Sequence, residues 1–241
     1  SIFSTFFLVY SNRVYPVGAQ LDNFYTKQEP NGAIRGEYGI KDGKPVFGRD
    51  NAEAVQPPLF AWAEYNIYHK IGNKKRIRDV MPVLEKYYAW LDETFKRDNG
   101  LYSVPHAALM MQNSPRKGVV YPIDFNAQQA LNALYMAELG DILNDKEISF
   151  KYKRHYFSLK TRINNLMWNE DDGFYHDLDK KEEQVPVKTI AGFWTLLAEL
   201  PNEVKSEALI AHLSNPETFG TENPFPTLAA DEEQFSDRGM G

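Results

Sequence analysis

Residues 109–118 read LMMQNSPRKG and set two carboxamides, Gln112 and Asn113, just ahead of a guanidinium, Arg116, with Pro115 fixing the turn between them. A carboxamide both donates and accepts hydrogen bonds and a guanidinium only donates, so the set can make polar contacts of either sense. The local residues leave a second reading open, in which Arg116 pairs with Asp124 while Met110 and Met111 fill the core beneath an ordinary loop. Asp124 precedes a helix and reads first as its N-cap.

Other polar groups suit the same chemistry. Asp22, Asn23 and Gln28 sit in an aromatic-rich segment, LDNFYTKQEPNGAIRGEY (21–38), and a sugar cleft needs hydrogen-bonding groups beside flat apolar rings. Helix capping accounts for Asp22 and Asn23 nearly as well. Gln56 precedes Pro57 and Pro58 at a helix start, where a side chain at a loop end can reach ligand hydroxyls; a capping or solvent-facing role is the alternative. Glu222, in FGTENPFPTL between Gly220 and the pair Pro224 and Pro226, is the most unusual acid in the chain.

Several chemistries are absent. The histidines, His69, His106, His155, His176 and His212, show no paired metal-ligand spacing, and NEDDGFYHD (169–177) lacks the alternating oxygen ligands of a calcium loop. There is no G-x-S-x-G, no phosphate-binding glycine loop and no dinucleotide fingerprint. No metal and no cofactor is expected. Without cysteine there are no disulfides or thiolate sites. A net charge of -6 argues against nucleic acid or an anionic membrane as partner, and the basic run KKRIR (74–78) reads as the solvated face of a helix. The apolar start SIFSTFFLVY (1–10) is too short to span a bilayer and reads as a buried segment rather than a signal peptide. It lacks an initiator methionine, which suggests a chain cut or processed upstream. No residue pattern fixes the compartment; a periplasmic or secreted location is favoured over a cytoplasmic one.

The scaffold that positions these groups is helical. At 43% hydrophobic and 14% aromatic, the 241 residues suit one domain with a substantial core. Ile77, Val80, Met81, Leu84, Tyr87, Tyr88, Leu91 and Phe95 recur at three- and four-residue spacing and predict a helix. A second helix is predicted over 55–72, opened by the Pro57-Pro58 pair and closed by Gly72, so the two form an antiparallel hairpin. The order recurs with helices over 125–143 and 148–168, and again with 186–200 and 203–213. Gly100-Leu101-Tyr102 and Gly173-Phe174-Tyr175 end corresponding helices 73 positions apart, too long a period for a tetratricopeptide or armadillo solenoid. The long segments between hairpins, 99–124 and 214–241, are where such a scaffold puts its function.

The stretches LDNFYTKQEPNGAIRGEY, VQPPLFAWAEY, DNGLYSV, MMQNSPR and YPIDFNAQQALNALYMAELGDIL, with DDGFYHD and FSDRGMG, together resemble the trehalase-like and family 63 glycoside hydrolases. The resemblance extends over most of residues 20–200. It implies an all-α (α/α)6 toroid of helical hairpins that hydrolyses α-glycosidic bonds of a small carbohydrate with inversion. It makes the 109–118 loop the rim of a sugar pocket, with Asn113 and Arg116 as polar contacts, and assigns a sugar contact to Gln56. In those families an aspartate, the general acid, precedes Asn-Ser-Pro; here the position is Gln112. An amide has no proton to give at any working pH, so the resemblance also admits a carbohydrate-binding pseudoenzyme, or Glu222 as a replacement acid. About three and a half of the six hairpins are recognisable, so the toroid reads as incomplete and a further chain segment is expected to complete it.

Overall fold

The strongest helical period produces the longest helix. In the computed structural model, which describes residues 2–46, 55–105, 108–109, 111 and 115–236, Lys74–Phe95 forms α4 and buries every apolar residue of the predicted stripe. Ahead of it lie α1 (Ile2–Leu8), α2 (Val17–Tyr25) and α3 (Phe60–Ile71). Gly72 stops α3 in the left-handed conformation at φ 74°, and the Asn73 side chain accepts from Arg76 N–H to cap α4. A joint that short makes the pair an antiparallel hairpin. The Pro57-Pro58 pair lies outside α3 rather than in its first turn, so the helix starts later than predicted.

The second hairpin joins α5 (Ile123–Leu143) to α6 (Lys146–Leu166). Asn144 turns the chain at φ 59°, and Asp145 Oδ1 accepts from Ile148 N–H to cap α6. Gly140 lets α6 come close, since a Cβ there would lie 2.7 Å from Ser149 N. After α6 the chain makes two small antiparallel hairpins, β1 (Trp168–Asn169) with β2 (Phe174–Tyr175) and β3 (Asp177–Leu178) with β4 (Gln184–Val185). A 3-10 turn at Ile190–Phe193 leads into α7 (Trp194–Leu197), and α8 (Glu203–Ser214) follows. The helix predicted over 186–200 is thus reduced to these two short pieces. Pro186 and Gly192 interrupt it, and a strand-like bridge from Thr189 to Leu228 takes its first residues.

The chain divides into two compact units, one drawn from Ser1–Lys96 and Leu131–Phe157, the other from Arg97–Ala130 and Ser158–Gly241. Aromatic rings fill the first: Tyr25 and Tyr87 flank Phe60 at 5.4 Å each, and Phe6 meets Trp62 at 4.6 Å. The expectation of a buried N-terminal segment is corrected here. α1 turns one face inward through Thr5 and Phe6, while Phe7 and Tyr10 are 65% and 72% exposed. In the second unit Phe174 stacks on Phe219 at 5.8 Å and meets Phe193 edge-on. No described helix is long and apolar enough to cross a membrane.

Candidate functional site

Within the second unit the long inter-hairpin segments are tied to one another by backbone hydrogen bonds. Tyr121 and Leu178 exchange N–H···O bonds of 3.0 Å, joining the run before α5 to β3. Ile190 N–H donates to Thr227 O at 3.0 Å and Ala229 N–H to Lys188 O at 3.0 Å, joining the run before α7 to the one after α8. Of the candidate residues, these segments hold Arg116 and Glu222.

Arg116 is the centre of this arrangement. Its side chain is wholly buried between Asp124, in the first turn of α5, and Asp177, on β3. Nε and Nη2 reach the two Asp177 oxygens at 2.7 Å each, while Nη1 and Nη2 reach those of Asp124 at 2.9 and 2.8 Å. Asp177 Oδ1 also accepts from Ile123 N–H at 2.7 Å, which satisfies an otherwise orphaned amide at the start of α5. Burial alone would lower the guanidinium's pKa, but the hydrogen bonds it donates to both carboxylates outweigh this and hold the charge firmly on. A group so enclosed has no face for a sugar, so the expectation that Arg116 contacts ligand is corrected: it clamps the loop to α5 and β3. The pairing with Asp124 is the alternative that the local residues left open, and Met111 is buried as that alternative requires. Asp124 lies inside α5 and serves the clamp rather than an N-cap.

Close by, the Asn126 side chain binds the Gly100 turn by accepting from Tyr102 N–H at 2.8 Å and donating to Tyr102 O at 3.0 Å. Glu222 is exposed in the segment after α8. Met110, Gln112 and Asn113 lie outside the described residues.

The remaining candidates belong to the first unit and do not form one cluster. Asp22 lies inside α2, not at its N-cap, and lines a cavity of about 250 Å³ with Asn12, Ile67, Ile71, Asn73 and Arg76 at the α3–α4 joint. Arg76 Nη2 lies 3.0 Å from Asp22 Oδ1 and 2.7 Å from Glu64 Oε1, and Tyr25 donates to the same Glu64 oxygen at 2.9 Å. Burial raises the Glu64 carboxyl above its ordinary value, against the opposing pull of Arg76 and Tyr25. Asn23 is exposed beside Asp22, one turn from the end of the helix. Gln28 is committed to the fold: its amide nitrogen donates to Gly32 O at 3.1 Å and Val83 O at 2.8 Å. Gln56 is exposed just before α3, its side chain lying over Gly36 so closely that a Cβ there would overlap Gln56 Cγ. Asp22 and Gln56 therefore sit toward opposite ends of α3, a helix of about 18 Å, and the expectation that one cleft holds both is corrected.

Sequence reasoning missed Asp177 and Glu64. Asp177 closes the quoted motif DDGFYHD, and its pairing depends on a partner 61 residues away. Glu64 sits in an otherwise apolar helix face, FAWAEY, where an unexplained acid is itself a signal of a buried partner.

The family model of the mannosylglycerate hydrolase MGH1-like glycoside hydrolase domain matches residues 18–240. The chain belongs to that family. An uncharacterized protein of Borreliella burgdorferi is 50% identical to this MGH1-like chain over 239 residues, which are 99% of the chain and 50% of the relative. The chain thus spans half the length of that relative. The GH63 mannosylglycerate hydrolase of Thermus thermophilus, solved in complex with glucose, is 19% identical with a TM-score of 0.79 over 96% of this chain and 72% of that one. The same hydrolase in complex with Tris gives 18% identity and a TM-score of 0.80 over 97% and 74% of the two chains. The MGH1-like chain accordingly has the all-α six-hairpin glycosidase fold, and carries part of its (α/α)6 set of helical hairpins. The family 63 resemblance drawn from the motifs is met.

Among the described residues of this MGH1-like chain, no three acidic or histidine side chains are placed to hold a metal ion. What the described residues offer is a buried guanidinium, Arg116, held between Asp124 and Asp177, and neighbouring segments joined by backbone pairing.

Proposed function

We propose that the chain forms part of a glycoside hydrolase that cleaves an α-glycosidic bond of a small saccharide with inversion. The observation that carries the reading is the Arg116 clamp, which ties Arg116 to the first turn of α5 and to β3 in the segment where the resemblance expects the sugar pocket. Inversion needs that kind of rigidity. Water attacks the anomeric carbon opposite the leaving oxygen, a base takes the water's proton, and an acid protonates the leaving oxygen as the C–O bond breaks. The two groups stand about 6.5–9.5 Å apart. The Thermus hydrolase, solved with glucose and with Tris and D-glycerate, supports a small carbohydrate as ligand class.

Gln112 favours a second reading. An amide at the expected acid position can bind a glycosidic oxygen but not protonate it, which suits a carbohydrate-binding pseudoenzyme. Full-length protein and its Gln112→Asp variant, assayed on an aryl α-glycoside and on an unactivated α-disaccharide, separate the two. General acid catalysis contributes roughly 10²–10⁴-fold. A degenerate hydrolase gains on that scale with the poor leaving group alone. No turnover in either form, with saccharide binding retained, establishes the pseudoenzyme. High native turnover of the disaccharide, unchanged by Gln112→Asp, moves the acid elsewhere, and Glu222→Gln is then the variant to measure.

A further inference from the structure

Phe225 combines two costs that a fold normally avoids. It is 58% exposed, and its φ is 64°, in the left-handed region that a bulky side chain rarely adopts. It also lies between Pro224 and Pro226, and a residue before proline is pushed toward extended conformations. Such strain persists only where the surroundings impose it, and it concentrates at binding and catalytic sites.

The surroundings do impose it. Phe225 N–H donates to Phe219 O at 2.8 Å, and Phe219 is fully buried against Phe174. Two residues on, Thr227 O accepts from Ile190 N–H and Leu228 pairs with Thr189. Thr221 Oγ1 donates to Asn223 O at 2.6 Å inside the loop. The segment is therefore pinned to the core at both ends and presents Glu222, Asn223, Pro224 and Phe225, all exposed, on a stiff tip. A ring displayed at such expense, three residues from an exposed carboxylate on the same loop, matches what a pyranose asks for. Its C–H face packs on a flat apolar surface while its hydroxyls donate to an acceptor at the edge.

We propose that Phe225 is a saccharide-stacking residue, its ring packing on a sugar face and Glu222 accepting from that sugar's hydroxyls. The proposal rests on the glycoside hydrolase reading above. It assigns binding to the loop after α8, whichever residue supplies the proton.

The test is titration calorimetry of full-length protein with methyl α-glucoside and methyl α-mannoside, for native, Phe225→Ala, Phe225→Trp and Phe225→Gly forms. Phe225→Ala should weaken binding about tenfold, and Phe225→Trp should bind at least as well as native. Phe225→Gly should bind as weakly as Phe225→Ala with a Tm no lower than native, because glycine adopts the left-handed conformation freely. That pairing of lost binding with retained stability is what a merely structural phenylalanine would not give. Native affinity in both the Ala and Gly variants overturns the stacking role and leaves the hydrolase reading intact. A native protein that binds neither glycoside and cleaves no α-disaccharide overturns both.

Discussion

Arg116 and Asp177 meet through two hydrogen bonds of 2.7 Å across 61 residues of chain, with exposures of 0% and 5%. Removing the cation would leave two carboxylates buried with no partner charge. Breaking a buried ion pair from one side typically costs about 3–5 kcal/mol, far more than the pair itself contributes. Arg116→Met should therefore lower stability by about that amount. Arg116→Lys should recover only part of it, since an ammonium cannot reproduce the fork that reaches both carboxylates. Urea unfolding measures both, and a loss below about 1 kcal/mol for Arg116→Met would show that the clamp is not a structural anchor.

Glu64 and Asp22 share Arg76 but differ in burial, with side-chain exposures of 0% and 50%. Burial, not the number of contacts, should decide their weight. Asp22→Asn should cost less than about 1 kcal/mol, as for a surface pair. Among the described residues, Glu64→Gln leaves Arg76 with the half-exposed Asp22 as its charged partner and should cost about 2–4 kcal/mol. At about 2–4 °C of Tm per kcal/mol for a domain this large, calorimetric scans resolve the two. Equal losses would mean that Asp22 is as enclosed as Glu64 in solution.

Much of this fold is legible in the chain, and what is not has a common cause. α4 follows from apolar spacing alone, and Gly72 marks the end of the helix before it because a left-handed stop acts locally, whereas the Asn73 cap shows only in the structure. The turns at Gly100 and Gly173 were likewise visible as a repeat, and both glycines have positive φ, at 80° and 60°. The short helices at 190–197 and the two-residue strands were not, since pairing with Leu228 and Tyr121 decides their backbone. Site residues fared worse for the same reason. Arg116 could face ligand or an acid with equal chemical sense, and only Asp177, folded in from β3, decides between them. Gln28 reads as a free amide until Val83 O arrives from α4.

The two equivalent turns should not tolerate substitution equally. Alanine at either position carries the left-handed penalty of about 1–2 kcal/mol. At Gly173 the new Cβ would meet Ala208 Cβ at 3.3 Å, a contact that a small shift relieves. At Gly100 it would overlap Arg162 Nε, and that guanidinium is held by a hydrogen bond to Asn99 O. Gly100→Ala should thus be the more destabilising, and Arg162→Ala should remove the excess but not the conformational part. A double-mutant comparison by urea unfolding checks it; no coupling between positions 100 and 162 would overturn the steric argument.

His155 should make stability depend on pH. Its ring packs against Tyr88 and Tyr152 at 5.2 and 5.8 Å, and burial lowers its pKa from the ordinary 6.5. Asp92 Oδ2, 3.8 Å from Nδ1, pulls the other way, while Lys96, Lys151 and Arg154 add to the lowering. With the folded value depressed, the unfolded chain binds more protons than the native one between that value and 6.5. Stability from this group is therefore fully present above the unfolded value and is lost as pH falls through the folded one. Urea midpoints of native and His155→Gln protein at about pH 7.5 and about pH 5.5 should show a smaller acid loss in the variant, because a neutral amide has no proton to gain. Parallel losses in the two proteins would mean that Asp92 cancels the effect of burial and that other groups carry the acid sensitivity.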